Sequence, residues 1–257
     1  NLVQGAKHIP DTSANEVLLE VRGLQRGRAI RDVSFSVRRG EIVGFAGLMG
    51  AGRTELAMSV FGRSYGQRIS GEVRLHGRAV DVSSIDRAIA AGIAYVTEDR
   101  KLDGFFETMT VGENLQISEL SKGRNPLNVV SMSRAKALAK EWGDRMQLKA
   151  ISDKARMIEL SGGNQQKIVI AKALIQTPKL IIFDEPTRGV DVGAIVEIHQ
   201  LISDLADQGM AVVVISSYLP EIMAVSDRIL VAKRGRIVEE LLISDATEER
   251  VMFAAVH

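Results

Sequence analysis

A glycine-rich segment near residue 50 has the composition of a phosphate-binding loop. It follows an apolar run at residues 41–46 that predicts a strand, and it precedes residues 54–61, which predict a helix closed by Gly62. Glycines allow neighbouring backbone N–H groups to turn toward one phosphate, and the positive end of the helix adds to the attraction. The loop comprises Gly47, Leu48, Met49, Gly50, Ala51, Gly52, Arg53 and Thr54.

Two residues of this loop decide what it is able to bind. Thr54 stands where a hydroxyl would ligate Mg²⁺, and Arg53 stands where the standard loop pattern, called Walker A, has lysine. Arginine keeps the positive charge, but its planar guanidinium does not substitute freely for an ammonium at a tight site. From the loop alone, a glycine-rich strand-to-helix turn without a ligand is an equally good interpretation.

A carboxylate pair follows another apolar segment. Residues 180–183 form a continuous apolar run, as in a strand buried on both faces of a parallel sheet, and Asp184 and Glu185 come directly after it. Asp184 would hold Mg²⁺, directly or through water, and Glu185 would orient and polarise the attacking water in phosphoryl transfer. The alternative is a pair of solvated carboxylates at a strand end. The glycine-rich loop upstream favours the functional interpretation, a Walker B motif.

A third candidate site is a helix start with an open end. Ser161 is a good helix cap, and Gly162 and Gly163 leave the first N–H groups of the helix accessible to an anion. The alternative is an ordinary capped helix. The succession Leu-Ser-Gly-Gly, then glutamines and a lysine, some 20 residues before the carboxylate pair, favours the anion site.

The rest of the chain alternates short apolar runs with helical patterns, which is typical of a doubly wound parallel sheet. The predicted strands are residues 17–21, 32–37, 41–46, 71–75, 93–96, 180–183, 211–216, 229–232 and 237–241. Further helices are predicted at residues 84–91, capped by Ser84, and at 192–207. From residue 111 to about residue 174 the pattern is helical, with one helix starting at Ser131 or Ser133, so a helical insertion in the α/β core is expected.

The composition excludes several classes of site. The 257 residues contain no cysteine, which rules out disulfides, thiolate metal sites and a cysteine nucleophile. Lys plus Arg number 33 and Asp plus Glu number 32, so the charge balance gives no general attraction for nucleic acid. No apolar run approaches the roughly 20 residues that span a bilayer. Residues 1–16 lack the apolar core of a signal peptide and are interpreted as an inter-domain linker of a longer protein; a disordered or tagged N-terminus is the alternative.

The three motifs together resemble the ATP-binding cassette (ABC) superfamily. LSGGNQQK at residues 160–167 looks like its signature motif, and residues 186–191 look like its D-loop. The resemblance covers about residues 17–242 and implies an α/β P-loop NTPase (RecA-like) fold. That fold has a parallel sheet core, an antiparallel β subdomain and an inserted α-helical subdomain at about residues 100–174, within a cassette domain at residues 17–257. In this family two cassettes pack head to tail, and each ATP lies between the Walker A loop of one and the signature of the other. The signature and D-loop residues implied at the nucleotide are Ser161, Gly162, Gly163, Gln165 and Asp191.

A closer resemblance is to the ATPase subunits of monosaccharide importers of the ribose, galactose and xylose type, and to the C-terminal one of their two cassettes. It is carried by the segments GLMGAGRTEL, VTEDRKLDGFF, LSGGNQQK, DEPTRGVDVG and ISSYLPEI. It implies ATP and Mg²⁺ as cofactors, ATP hydrolysis coupled to sugar uptake, and a peripheral location on the cytoplasmic face of the cell membrane. The implied partners are the N-terminal cassette of the same polypeptide, membrane permease subunits and, indirectly, a sugar-binding protein, with no nucleic acid.

Three positions depart from the pattern of a working ATPase. Besides Arg53, Glu98 stands where the Q-loop glutamine usually binds Mg²⁺, and its carboxylate can still ligate the ion. Ser217 stands where the switch histidine contacts the γ-phosphate. Residues 23–34 also lack an aromatic ring to stack on adenine. Because phosphoryl transfer depends on positioning and charge, we expect this Walker A face to bind ATP but to hydrolyse it slowly. The signature would complete the competent site of the partner cassette.

Two other functions are compatible with the motifs. One is a catalytically inactive, regulatory nucleotide-binding module, which would bind ATP without turnover. The other is a soluble cassette protein, either a translation factor or a chromosome-maintenance head, although neither the charged linker of the former nor the coiled coil of the latter is present. Phe105 and Phe106 either contact a permease helix or pack within the helical region.

Overall fold

The computed structural model describes residues 12–62, 67–121, 131–148, 152 and 154–257. Most of the linker predicted at residues 1–16 lies outside the described residues. The chain forms two compact units. The first contains the described residues up to Tyr95 together with Lys179–Glu185 and Gln200–His257, and the second contains those within Val96–Pro178 and Pro186–His199.

The strands and helices alternate along most of the chain. The strands are β1 (Val17–Arg26), β2 (Ile30–Arg38), β3 (Ile42–Gly47), β4 (Ile69–Leu75), β5 (Arg78–Ala79), β6 (Ile93–Val96), β7 (Leu180–Asp184), β8 (Ala211–Ile215), β9 (Arg228–Lys233) and β10 (Arg236–Leu242). The α-helices are α1 (Arg53–Val60), α2 (Ile85–Ala91), α3 (Val111–Leu120), α4 (Met132–Arg145), α5 (Gly162–Ile175), α6 (Val192–Asp207), α7 (Leu219–Val225) and α8 (Glu248–Val256). Among the described residues, no helix is both long enough and apolar enough to cross a membrane.

A six-stranded sheet forms the centre of the first unit, in the order β10-β9-β3-β8-β7-β6. Strands β3, β7, β8 and β9 run parallel, and β10 is antiparallel to β9. Strands β7 and β8 are buried along their whole length, as expected where both faces of a parallel sheet are covered. This sheet brings the ends of β3, β7 and β8 side by side, and the site residues predicted for the first unit lie at or just after those ends.

A second, antiparallel sheet has the order β2-β1-β4-β5. The two sheets share one hydrophobic core, in which the Phe35 ring on β2 meets the Phe45 ring on β3 edge-on, with centroids 5.2 Å apart. Strand β1 is longer than the predicted residues 17–21. It continues past a bulge between Val21 and Leu24, where Gly23 adopts a φ of +56° that other residues disfavour. The predicted α/β fold with a parallel core and an antiparallel sheet is confirmed.

The second unit is mainly helical in its described residues, and α3 packs against both α4 and α5. The side chain of Thr110 caps α3 in a reciprocal capping box with Glu113. Ser131 caps α4 by accepting from the Arg134 N–H, so the helix starts after Ser131 and not after Ser133. Before α3, residues Arg100–Gly104 form a single turn of π-helix, a rare form that often occurs at functional sites.

Candidate nucleotide-binding site

The glycine-rich loop joins the end of β3 to the start of α1. Gly52 is the N-cap of α1, has a φ of +96° and provides no side chain to the first N–H groups of the helix. A Cβ atom at Gly52 would lie 2.5 Å from the Ala29 carbonyl oxygen, so this position requires glycine on steric as well as conformational grounds. The loop therefore leaves the positive end of α1 open to an anion.

Leu48 and Met49 lie at the outer turn of this loop. Their side chains are 45% and 91% exposed, respectively, so neither is part of the core. A phosphate at this loop would therefore contact its backbone N–H groups, which the neighbouring glycines allow to turn inward.

Arg53, at the Walker lysine position, is buried and points away from solvent. Its guanidinium donates a hydrogen bond to the main-chain carbonyl of Ser216, directly after β8. Burial lowers the pKa of Arg53, and the nearby carboxylates Glu185 and Asp184 act in the opposite direction. The cation is thus present beside the carboxylate pair, but its hydrogen bonding is directed at the protein backbone.

Asp184, the last residue of β7, is fully buried. Its Oδ1 atom accepts a hydrogen bond of 3.3 Å from the Thr54 hydroxyl, and its Oδ2 atom accepts one of 2.7 Å from the Tyr95 hydroxyl. The structure therefore brings together the two predicted Mg²⁺ ligands of the first unit. A carboxylate beside a hydroxyl is an oxygen donor set that Mg²⁺ accepts, because the ion takes few protein ligands and completes its shell with phosphates and water.

Among the described residues there is no cluster of three or more His, Cys, Asp or Glu side chains able to hold a metal ion. The fit to Mg²⁺ thus rests on the pairing of Thr54 with Asp184 and on the open loop beside it.

Glu185 stands in a left-handed backbone conformation with a φ of +50°, which is unusual for a residue other than glycine. Its N–H donates to the Ile215 carbonyl at 2.8 Å, which ties the end of β7 to β8. Its carboxylate accepts hydrogen bonds from the Ser217 N–H at 2.6 Å and from the Ser217 hydroxyl at 3.2 Å. The residue predicted to contact a γ-phosphate, Ser217, therefore holds the predicted catalytic carboxylate.

The signature segment lies in the second unit. Ser161 caps α5 by accepting from the Asn164 N–H at 3.4 Å, as predicted. Gln165 is buried, and its side-chain amide donates to the Met157 carbonyl at 3.0 Å. A Cβ atom on Gly163 would lie 2.4 Å from the Ala194 side chain, so glycine is needed for α5 to begin against the start of α6.

The D-loop region of the same unit is fixed by charged side chains. Asp191 accepts from the Ala194 N–H at 3.0 Å and so caps the first turn of α6. Glu98 lies 3.6 Å from Arg188, so the carboxylate at the Q-loop position has a cationic neighbour.

Sequence reasoning missed the role of Arg100. Its guanidinium donates to the carbonyls of Arg188 at 2.5 Å and Gly189 at 2.8 Å, and its Nε donates to Gln165 at 3.4 Å. Burial lowers its pKa. Arg100 thus joins the Q-loop region, the D-loop and the signature helix, a role for which no local sequence pattern exists.

The two adjacent phenylalanines have different environments. Phe105 is buried, whereas Phe106 is 55% exposed, with the Lys172 ammonium 5.9 Å from its ring centroid. Lys172 also donates to the Gly104 carbonyl at 2.6 Å, and burial lowers its pKa to about 8. One ring therefore packs in the second unit, and the other is available to a partner.

Comparison with known proteins gives close relatives over almost the whole chain. A putative ribose/galactose/methyl galactoside import ATP-binding protein of Albidiferax ferrireducens is 50% identical over 257 residues, which cover 99% of this chain and 50% of that protein. The ribose import ATP-binding protein RbsA 2 of Agrobacterium fabrum is 48% identical over 94% of this chain and 47% of its own length. The L-arabinose transport ATP-binding protein AraG of Geobacillus stearothermophilus is 47% identical over 92% of this chain and 47% of its own length. The chain thus spans about half the length of the curated relatives it matches.

Solved structures share the fold at low sequence identity. A nucleotide-free ATP-binding cassette from an ABC transporter superposes with a TM-score of 0.77 at 22% identity, over 94% of this chain and 96% of that one. An ATP-binding cassette in its ADP conformation superposes with a TM-score of 0.74 at 24% identity, over 93% of this chain and 94% of that one. Residues 30–188, more than half of the chain, match the family described as ABC transporter. The chain therefore belongs to the ABC transporter family, which confirms the family and the fold predicted from the motifs.

Proposed function

We propose that the chain is the second of two ATP-binding cassettes in the ATPase subunit of a bacterial sugar importer. The observation that carries the proposal is the 3.3 Å contact between Thr54, at the start of α1, and Asp184, at the end of β7. This contact supports a Mg²⁺ site formed by the two side chains next to the glycine-rich loop. The sugar importer assignment is supported by relatives named for ribose, galactose and arabinose transport, of which this chain spans about half.

In this proposal each group has one task. The backbone N–H groups of the loop from Gly47 to Thr54 bind the phosphates of ATP. Thr54 and Asp184 would hold Mg²⁺, which would neutralise charge on the phosphate oxygens. Glu185 orients the attacking water and accepts its proton, since its carboxylate stands at the strand end next to the Mg²⁺ ligand Asp184.

We infer that this site hydrolyses ATP slowly. The guanidinium of Arg53 is buried and donates to the Ser216 carbonyl, so at least one of its donors is directed at the protein backbone and not at a phosphate. Ser217 has no positive charge to stabilise a γ-phosphate, and both of its donors are already directed at Glu185. Each feature weakens the stabilisation of charge in the transition state, on which phosphoryl transfer depends.

The signature segment, in contrast, has the features of a working half-site. We propose that Ser161, Gly162, Gly163 and Gln165, with Asp191 in the D-loop, complete the ATP site of an N-terminal cassette in the same polypeptide. The cap at Ser161 and the Arg100 contacts to Arg188 and Gly189 hold these segments in a defined conformation. A solved cassette with the same fold is described as dimeric, with a TM-score of 0.73 at 22% identity.

The remaining partners are proposed from exposed apolar side chains in the second unit. The exposed Phe106 and the neighbouring Leu102, 79% exposed, suit contact with an apolar segment of membrane permease subunits. Such contacts would place the cassette on the cytoplasmic face of the membrane and link it indirectly to a sugar-binding protein. A net charge of +1 gives no reason to add nucleic acid to the partners.

The proposal is tested by measuring ATP binding and turnover with the purified chain. We expect Mg²⁺-dependent binding of a fluorescent ATP analogue and turnover far below that of an intact importer. Asp184→Asn should weaken binding in the presence of Mg²⁺, whereas Asp207→Asn, at an exposed position on α6, should not. Turnover equal to that of an intact importer would refute the slow-site proposal. Failure of the unmodified chain to bind ATP would refute the site itself, and binding with no turnover whatever would favour the regulatory alternative.

A further inference from the structure

Tyr95 lies on β6, the strand next to β7 in the central sheet. Its hydroxyl donates to Asp184 Oδ2 at 2.7 Å. Its ring stacks on the ring of Phe61, just after α1, with centroids 5.4 Å apart and planes inclined by 20°. Phe61 is itself buried, so the tyrosine is supported along its ring and is bound at its hydroxyl end.

The Asp184 carboxylate, which Tyr95 contacts, needs hydrogen bonds to both of its oxygens and a fixed orientation. Asp184 is fully buried, and a buried carboxylate is costly unless its oxygens accept hydrogen bonds. The terminal torsion of an aspartate is also soft, so burial alone does not set the plane of the carboxylate. The Thr54 hydroxyl contacts Oδ1 and the Tyr95 hydroxyl contacts Oδ2, and two hydroxyls on opposite oxygens define that plane.

We propose that Tyr95 is a positioning residue for the Mg²⁺ ligand Asp184. By holding Oδ2, it keeps Oδ1 on the side of Thr54, where the ion is proposed to bind. Hydrogen bonds behind the ligands of a metal ion commonly change its affinity by about 10–100-fold, because they orient the ligand. This inference rests on the proposed function, since it requires that the site bind Mg²⁺ with nucleotide.

If Tyr95 positions Asp184, its loss should change the Mg²⁺ dependence of nucleotide binding, whereas general damage to the site should weaken binding with and without Mg²⁺. Tyr95→Phe removes one oxygen atom and keeps the ring that stacks on Phe61, so the packing of the first unit is retained. The backbone N–H groups of the phosphate loop are unchanged, so nucleotide without Mg²⁺ should bind as before. Only the Mg²⁺ concentration needed to strengthen nucleotide binding should rise, by about 10-fold or more.

The experiment titrates Mg²⁺ into the purified chain with a fluorescent ATP analogue, after binding of the analogue has been measured in EDTA. Tyr218→Phe, which removes an exposed hydroxyl, is the matched control and should retain the unmodified Mg²⁺ requirement. A melting curve of each variant reports folding independently. In the Asp184→Asn background, Tyr95→Phe should have no further effect on binding in Mg²⁺, because it acts through the carboxylate.

Each result decides the inference. A raised Mg²⁺ requirement with unchanged binding in EDTA supports it. An unchanged Mg²⁺ requirement overturns it, even if the melting temperature falls, and so does an equal loss of binding with and without Mg²⁺. If the unmodified chain binds nucleotide but does not respond to Mg²⁺, the inference fails while nucleotide binding stands. If the unmodified chain binds no nucleotide, the proposed function fails as well.

Discussion

Replacing Arg53 by lysine should have opposite effects on two properties of the chain, its stability and its affinity for ATP. In the structure Arg53 is buried and donates to the buried Ser216 carbonyl. A hydrogen bond with one charged partner contributes about 1.5–3 kcal/mol to stability. Arg53→Lys replaces the planar fork by a single ammonium and should lose most of this contribution. For a chain of this size, each kcal/mol shifts the melting temperature by about 2–4 °C, so the expected decrease is about 3–12 °C.

The same substitution should strengthen ATP binding. A lysine ammonium that is not committed to Ser216 is available to a phosphate, and one additional charge-assisted hydrogen bond of about 1.4 kcal/mol corresponds to roughly tenfold in the dissociation constant. The Arg53→Lys variant should therefore melt at a lower temperature without ligand and be stabilised more by MgATP. This opposite movement of stability and affinity is the expected consequence of freeing the side chain from the backbone.

The assay is a thermal melt with and without MgATP, combined with a titration of fluorescent ATP analogue. Arg78→Lys, on the exposed strand β5, provides a control for the chemical change alone and should alter neither quantity. The reasoning is refuted if Arg53→Lys leaves the ligand-free melting temperature unchanged, since the Ser216 contact would then contribute nothing. Weaker or unchanged ATP binding would show that the guanidinium is not withheld from the phosphate.

Three further predictions follow from other residues. Glu185→Gln should keep ATP binding and lower any turnover by about 100-fold or more, measured by phosphate release; equal turnover would show that Glu185 does not act as the base. Glu41→Gln should destabilise the chain by about 1–3 kcal/mol in urea unfolding, because the buried Arg228 guanidinium loses the carboxylate of Glu41 at 2.8 Å and keeps that of Glu240 at 2.6 Å. Lys172 has a pKa lowered by burial to about 8, below its unfolded value, so the unfolded chain binds more protons between the two values and stability should rise with pH in that window. In urea unfolding, the free energy of unfolding of the unmodified chain should therefore rise relative to that of Lys172→Met between pH 7.5 and pH 9.5. An equal difference at both pH values would contradict the lowered pKa of Lys172.

The sequence predicted most of the fold because its signals are local. A continuous apolar run at residues 180–183 becomes the buried strand β7, and Ser84 caps α2 as expected. The extension of β1 beyond Val21 was missed because the bulge at Gly23 breaks the alternation of buried and exposed residues on which the prediction depended.

The candidate site was predictable in its parts and not in its contacts. The glycine-rich loop and Asp184 were found from composition and spacing, because a phosphate loop and a strand-end carboxylate each have a local pattern. The contacts of Tyr95 with Asp184 and of Arg53 with Ser216 depend on which strands are neighbours. Strand order is set by packing over the whole sheet, so no window of sequence contains it.

The left-handed backbone at Glu185 bears on how this cassette tolerates change. A φ of +50° is strained for glutamate, by about 1–3 kcal/mol, and is easier for asparagine or glycine. Replacing Glu185 by glycine would relax the backbone and would also remove the two hydrogen bonds that its carboxylate accepts from Ser217. The two effects have opposite signs and similar size, so the stability of the fold selects only weakly for the carboxylate proposed as the base.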